Sequence, residues 1–248
     1  IPVTIGMPAV TPVSKVDHTR KPGARVILHG TTLAESTTFA YQLKDREGLT
    51  FVHPYDDPLV VAGQGTVALE MMADEPDLEM LVVPVGGGGL IAGMATAGKA
   101  IKPELEVIGV QTRMYPSMQA ELAGRDPVGL CGGQTIAEGI AVRQAGRLPF
   151  EICSRLVDDV LLVDEPDLEQ AITLFCNVEK TVAEGAGAAG LAALLAHPGR
   201  FAGRRVGLVL CGGNIDPRLL ASVLTRSLVR EKRIVSLKIV GDDRPGLL

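Results

Sequence analysis

The chain has 248 residues, of which 46% are apolar and 21% are charged, and its formal net charge is −5. This length and balance predict a globular protein with a sizeable core, in one large or two ordinary domains. The mild acidity and the low aromatic content, 3% with no Trp, argue against nucleic acid as a partner. No apolar run reaches the roughly 18 residues of a membrane span, so no membrane partner is expected.

Strand-like and helix-like segments alternate along the chain. Strands are predicted at 3–7, 25–28, 49–52, 81–85, 106–110, 159–163 and 206–210. Helices are predicted at 31–46, 63–72, 90–100 and 184–196. Two further helices are predicted to begin after Asp164, which can act as an N-cap, and after the Asp216-Pro217 pair. Continuous apolar strands between helices predict an α/β fold, with a mostly parallel sheet covered on both faces. Ligands of such sheets bind at the carboxyl ends of the strands, where the glycine-rich loops fall.

Four consecutive glycines, Gly86, Gly87, Gly88 and Gly89, follow an apolar strand and precede Leu90 in the run VVPVGGGGLIAG. A helix that begins there would offer unpaired N–H groups and about half a positive charge. Glycines let a phosphate approach those donors without meeting a Cβ atom. The run therefore predicts an anion cradle, and a tight turn beneath closely packed helices is the alternative.

The residues around the glycines limit which phosphate compound could bind there. A nucleotide P-loop needs a Lys and a Ser or Thr, which are missing after Gly88. The looser dinucleotide pattern is present as Gly87-x-Gly89-x-x-Ala92, so a nicotinamide oxidoreductase stays open as an alternative. That pattern also requires an acidic residue at the end of the next strand, where this chain has Gln111. A phosphate on a small, non-ribosyl cofactor therefore fits better.

The ordered set of motifs VVPVGGGGLIAG, EVIGVQ, TIAEGIAV, EGAGAAG and LVLCGGN, preceded by HPYDDP and AGQGTVALEM, resembles the threonine ammonia-lyase (threonine dehydratase) family. The resemblance covers residues 1 to about 230. It implies a pyridoxal 5′-phosphate enzyme of the tryptophan synthase β-like fold (fold type II), with a three-layer αβα sheet. Single motifs are shared with serine racemase and serine dehydratase, which are the related alternatives.

The same resemblance implies roles for particular residues. The cofactor phosphate would be wrapped by Gly86, Gly87, Gly88, Gly89 and Leu90. Cys211 would face the pyridine nitrogen, where a neutral donor leaves that nitrogen unprotonated. Gly139 and Glu184 would line the cofactor pocket. The alternatives are a small buried hydrophobe for Cys211 and a helix-start carboxylate for Glu184.

The chain departs from the family pattern in two respects. The Ser-Phe-Lys context of the family's cofactor-binding lysine and the Ser-Gly-Asn-His segment do not occur, and both are expected before the point where this sequence starts. No catalytic residue is therefore assigned within the chain, and a non-catalytic fragment is a further alternative. Gln111 also stands where serine racemase-like members have a metal-binding Glu. With scattered cysteines and histidines, no metal site is expected, and reduced thiols indicate a cytoplasmic protein.

The final stretch, RIVSLKIVGDDRPGLL, resembles the beginning of an ACT regulatory domain, with its turn at residues 243–246. The expected organisation is an incomplete small domain at 1–58, a large pyridoxal-phosphate-binding domain at 59–230, and the start of the α+β ACT-like domain at 233–248. The chain would then be part of a longer polypeptide. The implied reaction converts L-threonine to 2-oxobutanoate and ammonia, and L-serine to pyruvate, in isoleucine biosynthesis or threonine catabolism. A homo-oligomer, dimer or tetramer, with an amino-acid effector is expected.

Overall fold

The computed structural model describes residues 1–11, 13–235 and 237 of the chain. The chain divides into two compact units, Ile1–His53 and Pro54–Leu248. The turn at 243–246, on which the predicted ACT-like start depends, lies outside the described residues. That prediction therefore stays a prediction.

The first unit contains one parallel pair of strands and two helices. Its elements are β1 (Thr4–Met7), α1 (Val13–Arg20), β2 (Arg25–Leu28) and α2 (Leu33–Glu47). The strands pair in parallel, with Thr4 opposite Arg25. Helix α2 begins at a capping box formed by Thr32 and Glu35 and ends at Gly48, which adopts the left-handed conformation. The predicted strands at 3–7 and 25–28 and the helix at 31–46 are confirmed.

The strand predicted at 49–52 is wrong, because these described residues form no regular structure. The Phe51 ring instead stacks at a tilt on the Tyr41 ring of α2, with 4.3 Å between centroids. A short apolar run signals burial without saying which backbone conformation achieves it. Here only Phe51 is half-buried, through its aromatic contact with a helix, while Leu49 and Val52 are exposed.

The second unit contains a four-stranded parallel sheet in the order β5-β4-β3-β6. Its elements are α3 (Pro58–Asp74), β3 (Met80–Pro84), α4 (Gly89–Ile101), β4 (Glu106–Thr112), α5 (Ser117–Leu122), α6 (Arg147–Leu156), β5 (Asp159–Val163), α7 (Glu165–Leu174), α8 (Gly185–Ala196), α9 (Pro198–Phe201), β6 (Val206–Leu208) and α10 (Pro217–Arg230). A short 3-10 turn spans Glu138–Ile140. The parallel sheet is confirmed, and α5, α6 and α9 are additions that the sequence pattern did not predict.

The sheet lies between two layers of helices. Met80 and Val82 of β3 point to one face, into a core shared with α7, α8 and α10. Leu81 and Val83 point to the other face, into a core shared with α3, α4 and α6. All four side chains are fully buried, so β3 is a central strand and the three-layer αβα architecture is confirmed.

Helix α3 begins earlier than its Gly-Gln-Gly segment suggested. The Asp57 carboxylate accepts hydrogen bonds from the N–H groups of Leu59 and Val60, at 2.8 and 3.2 Å, and Pro58 occupies the first turn. The predicted caps Asp164 and Asp216 are confirmed at the starts of α7 and α10.

Helices α3 and α4 pack at a glycine crossing. A Cβ atom on Gly93 of α4 would overlap the Val61 carbonyl oxygen and lie 2.7 Å from the Gly65 nitrogen. A Cβ atom on Gly65 of α3 would in turn lie 3.0 Å from the Gly93 carbonyl oxygen. Backbone therefore meets backbone at this crossing, which fixes the separation of α3 and α4 there.

Candidate functional site

The strand order changes direction at β3. From β3 the chain passes through α4 to β4 on one side, whereas β6 pairs with the other edge of β3. The loops that follow β3 and β6 therefore diverge and leave a crevice at the carboxyl ends of the two strands. This switch point is where open parallel sheets bind their ligands.

A cavity of about 340 Å³ opens at this switch point, within the size range of small-molecule sites. It is lined by Pro54, Tyr55, Gln64, Pro84, Gly86, Gly87, Gly88, Gly89, Leu90, Gly139, Ile140, Val142, Glu184, Ala186 and Cys211. All eight residues predicted to bind the cofactor are among them, although they come from four separate stretches of the chain. Within the described part of the chain, no lysine contributes to this lining.

The glycine run forms the start of α4. Gly88 is the N-cap residue, with a φ of +94° that favours glycine, and it has no side chain with which to cap the helix. The first N–H groups of an α-helix have no acceptor within the helix. Those of α4 begin at the cavity wall, so the loop carries donors and partial positive charge there.

Protein atoms also occupy the space that side chains would need at these glycines. A Cβ atom on Gly87 would overlap the Tyr55 ring, and one on Gly89 would lie 3.0 Å from the Tyr55 Cβ. A Cβ atom on Gly86 would lie 3.2 Å from the Gly139 carbonyl oxygen. The close packing that the sequence offered as the alternative explanation for the glycines is therefore present in this loop. This packing leaves the N–H groups of the loop in place for an anion.

Tyr55 is a cavity residue that sequence reasoning missed. Burial, and secondarily the charge of the neighbouring Asp56, raises the pKa of its phenol. The side chain therefore stays neutral around pH 7 and forms an uncharged wall behind Gly87. The HPYDDP segment is identified from its prolines and aspartates as a turn-rich connector and from its order as part of the family resemblance, and neither observation places Tyr55 at the cavity.

Glu184 is the N-cap residue of α8, but its side chain makes no capping hydrogen bond. Its N–H donates to the Gly212 carbonyl oxygen at 3.0 Å. A Cβ atom on Gly212 would overlap the Glu184 Oε1, and one on Gly139 would lie 3.4 Å from the same oxygen. The carboxylate thus lies beside Gly139 and Gly212 at the cavity. The position of Glu184 at the start of a helix did not by itself predict this placement.

The EGAGAAG and CGGN motifs interlock through glycine backbones. A Cβ atom on Gly187 would overlap the Gly212 carbonyl oxygen and lie 2.9 Å from the Gly212 nitrogen. A Cβ atom on Gly185 would overlap the Ile136 carbonyl oxygen and lie 2.8 Å from the Ala137 nitrogen. The start of α8 therefore holds the loop after β6 and the segment before Gly139 in fixed positions.

Cys211 follows β6 and is an exposed residue, not part of the core. Its thiol donates a long hydrogen bond, 3.9 Å, to the Ala186 carbonyl oxygen. Desolvation raises the pKa of the thiol, and the Glu184 charge raises it further. Because a raised pKa favours the protonated form, Cys211 stays a neutral S–H donor at physiological pH.

We expect iodoacetamide to alkylate Cys211 more slowly than free cysteine at pH 8, since the thiolate is the nucleophile. Glu184→Gln removes a charge that raises the thiol pKa and should speed the reaction. Peptide mass spectrometry of the alkylated protein measures this rate residue by residue. Glu179→Gln is the control, since Glu179 is not among the causes of the Cys211 shift. Equal rates for Glu184→Gln and the parent protein would contradict the assignment.

Gln111 has a structural role at the end of β4. Its buried amide nitrogen donates to the Val85 carbonyl oxygen and to the Ser117 Oγ, both at 3.3 Å, and its oxygen accepts the Gln119 N–H at 3.0 Å. The side chain therefore holds α5 and supplies no carboxylate. Across residues 1–11, 13–235 and 237, no group of three His, Cys, Asp or Glu residues could hold a metal ion.

The donor set at the switch point fits a phosphorylated pyridine. The open start of α4 suits a phosphate, the neutral Cys211 thiol suits an unprotonated ring nitrogen, and glycine loops leave room between them. Fold and site together define the class of α/β enzymes that bind a small phosphorylated cofactor at a sheet switch point. None of the helices in the described part of the chain is both long and apolar enough to span a membrane.

The family model described as "Pyridoxal-phosphate dependent enzyme" matches residues 1–212, and the chain belongs to this family. It is 45% identical to an L-threonine ammonia-lyase of Thermotoga maritima, over all of this chain and 62% of that protein. Among solved structures, it is similar to a threonine deaminase from the organism abbreviated T.th., with 37% identity, a TM-score of 0.81, and coverage of 87% of this chain and 71% of that one. Maize serine racemase also matches, at 28% identity and a TM-score of 0.81, over 94% of this chain and 72% of that one.

These comparisons confirm the family resemblance, the tryptophan synthase β-like fold and the pyridoxal-phosphate cofactor. The nicotinamide alternative finds no support in them. The chain spans about 62% of the length of the Thermotoga relative.

Proposed function

We propose that the protein containing this chain is an L-threonine ammonia-lyase, converting L-threonine to 2-oxobutanoate and ammonia, with L-serine as a secondary substrate giving pyruvate. The observation that supports this most is the convergence of four separate motifs on one cavity at the sheet switch point. The motifs occur in a chain that is 45% identical to an L-threonine ammonia-lyase along its whole length. Serine racemase or serine dehydratase chemistry is the second candidate.

The chain would contribute the anchoring part of the site. The N–H groups of Gly86 to Leu90 at the start of α4 would hold the phosphate, where the helix terminus carries about half a positive charge. The close contacts of these glycines with Tyr55 and with the Gly139 carbonyl oxygen keep the donors in place before binding. Such preorganisation strengthens binding because less ordering is required when the ligand arrives.

The Cys211 thiol would donate to the pyridine nitrogen, in place of its long hydrogen bond to the Ala186 carbonyl oxygen. Bound pyridoxal phosphate supplies an electron-accepting ring that stabilises negative charge at the amino-acid Cα. A neutral thiol does not transfer a full proton to that ring. Glu184 places its carboxylate beside Gly139 and Gly212, where it would orient polar groups at the pocket.

The proton transfers are assigned to no residue of this chain. None of the described residues that line the cavity is a lysine, and the Ser-Phe-Lys context is absent from the sequence. The covalent attachment and the base would therefore come from the rest of the protein. The ACT-like domain, its amino-acid effector, a dimeric or tetrameric assembly, a cytoplasmic location and a role in isoleucine biosynthesis or threonine catabolism are parts of the same proposal.

An activity assay with the full-length protein separates the candidates. We expect 2-oxobutanoate and ammonia from L-threonine, and less product from L-serine, when pyridoxal phosphate is present. Production of D-serine from L-serine, measured by chiral chromatography, without 2-oxobutanoate from L-threonine would favour the racemase. Cofactor binding without any amino-acid turnover would favour a non-catalytic role.

A further inference from the structure

Helix α6 is capped by a residue from a distant part of the chain. Its N-cap residue, Gly146, has no side chain to offer. The Asp56 carboxylate accepts the N–H of Arg147 at 3.1 Å and the N–H of Leu148 at 2.9 Å. Asp56 and Arg147 are 91 positions apart, so the cap joins the HPYDDP segment to α6.

The same first turn of α6 holds the glycine run. The N–H of Gly146 donates to the Gly87 carbonyl oxygen at 2.9 Å. Pro149, in the first turn of α6, lies against Gly88, because a Cβ atom there would be 2.9 Å from the Pro149 Cβ. The start of α6 therefore holds Gly87 and Gly88 in position, two adjacent glycines of the run Gly86 to Gly89 that forms the proposed phosphate cradle.

The HPYDDP segment reaches the cradle from the other side as well. The ring of Tyr55 fills the space beside Gly87, and its backbone lies against Gly89. Asp56 thus closes a ring of contacts that runs from Tyr55 to Gly87, through Gly146 to the α6 terminus, and back to Asp56. Glycines have little conformational preference of their own, so a closed ring of this kind is needed to hold them in one geometry.

We infer that Asp56 is a positioning residue of the phosphate cradle, acting through the N-terminus of α6; this rests on the proposed cofactor site. Its negative charge is unfavourable to a nearby phosphate, so any benefit must come from geometry. Geometry and charge therefore predict opposite effects when the carboxylate is removed. Loss of the cap should weaken phosphate binding, whereas loss of a repulsive charge alone would strengthen it.

The neighbouring Asp57 provides a matched control. Its carboxylate also accepts hydrogen bonds from two N–H groups at a helix start, but those groups belong to Leu59 and Val60 of α3. Both Asp56→Ala and Asp57→Ala remove one cap of comparable strength. A cost to folding alone would affect the two variants alike.

The test measures binding of pyridoxine 5′-phosphate and of unphosphorylated pyridoxine to the full-length protein by calorimetry. Neither probe can attach covalently to a lysine, because both carry an alcohol where the aldehyde would be. For the phosphate ester, we expect about three- to tenfold weaker binding by Asp56→Ala, the cost of one lost cap. Asp57→Ala should bind it within about twofold of the parent protein, and pyridoxine binding should be unchanged in both variants.

Asp56→Asn keeps one acceptor oxygen and should recover part of the affinity, which also covers the case in which Asp56→Ala fails to fold. Equal losses in the Asp56 and Asp57 variants, unchanged affinity, or tighter binding by Asp56→Ala and Asp56→Asn would overturn the inference. A parent protein that does not prefer the phosphate ester over pyridoxine would overturn the cofactor site itself, and this inference with it. The two failures are therefore distinguishable.

Discussion

Gly93→Ala is expected to lower the free energy of unfolding by about 3 kcal/mol, near the upper end of the usual cost of overpacking. The added Cβ would overlap the Val61 carbonyl oxygen and lie 2.7 Å from the Gly65 nitrogen. Both of these are backbone atoms of α3, which no side-chain rotation can move away. Urea unfolding followed by far-UV circular dichroism measures the loss, since the chain has no Trp to report by fluorescence.

Gly63→Ala, on helix α3, which faces α4 at this crossing, is the control for this prediction. Gly63 has open space at its Cβ position. Alanine there should stabilise the protein by up to about 1 kcal/mol, because alanine favours the helix over the unfolded chain. If both variants shift stability in the same direction, contact at the helix crossing is not what Gly93 provides.

Gly87→Ala is expected to weaken pyridoxine 5′-phosphate binding by about tenfold or more, roughly 1.4 kcal/mol. The added Cβ would overlap the Tyr55 ring, so either the ring or the loop must move. Movement of the loop displaces the donors at the start of α4, where geometry matters most. Calorimetry on the full-length protein gives the affinity, and circular dichroism confirms that the variant is folded.

A double-mutant cycle shows whether Tyr55 is the cause. Tyr55→Ala removes the ring and should restore phosphate affinity in the Gly87→Ala background relative to Gly87→Ala alone. The two substitutions should therefore be non-additive, as contacting residues usually are. Additive losses would mean that the glycine acts through its backbone conformation and not through the space it leaves for the ring.

The central part of the fold was predictable because local signals there agree. The apolar run that forms β3, the glycines that follow it and the small residues of α4 all point to a strand, a tight loop and a helix. Asp164 and Asp216 are likewise local caps, each followed directly by its helix. The strand, glycine and helix pattern predicted an anion cradle at Gly86 to Leu90, whereas the place of Cys211 at the cavity was implied only by the family resemblance.

What the sequence did not predict depends on contacts between distant residues. Asp56 caps α6 from a position 91 residues earlier in the chain, and no local pattern shows this. The same limit explains why α6 was missed, since its N-cap residue is a glycine. The purpose of the glycines was also only partly predictable. Bare backbone suggested room for a ligand, whereas the structure shows that Tyr55 uses part of that room.

One part of the cavity wall at the switch point is bare main chain, contributed by the glycines after β3 and by Gly139. Enzyme engineers who wish to reshape the cavity therefore have no side chains to trim along that part. The useful positions are Gln64 and Val142, which line the cavity from separate segments of the chain. Libraries for a reshaped cavity should vary these two positions and leave untouched the glycine loops and Tyr55, which fills the space beside Gly87.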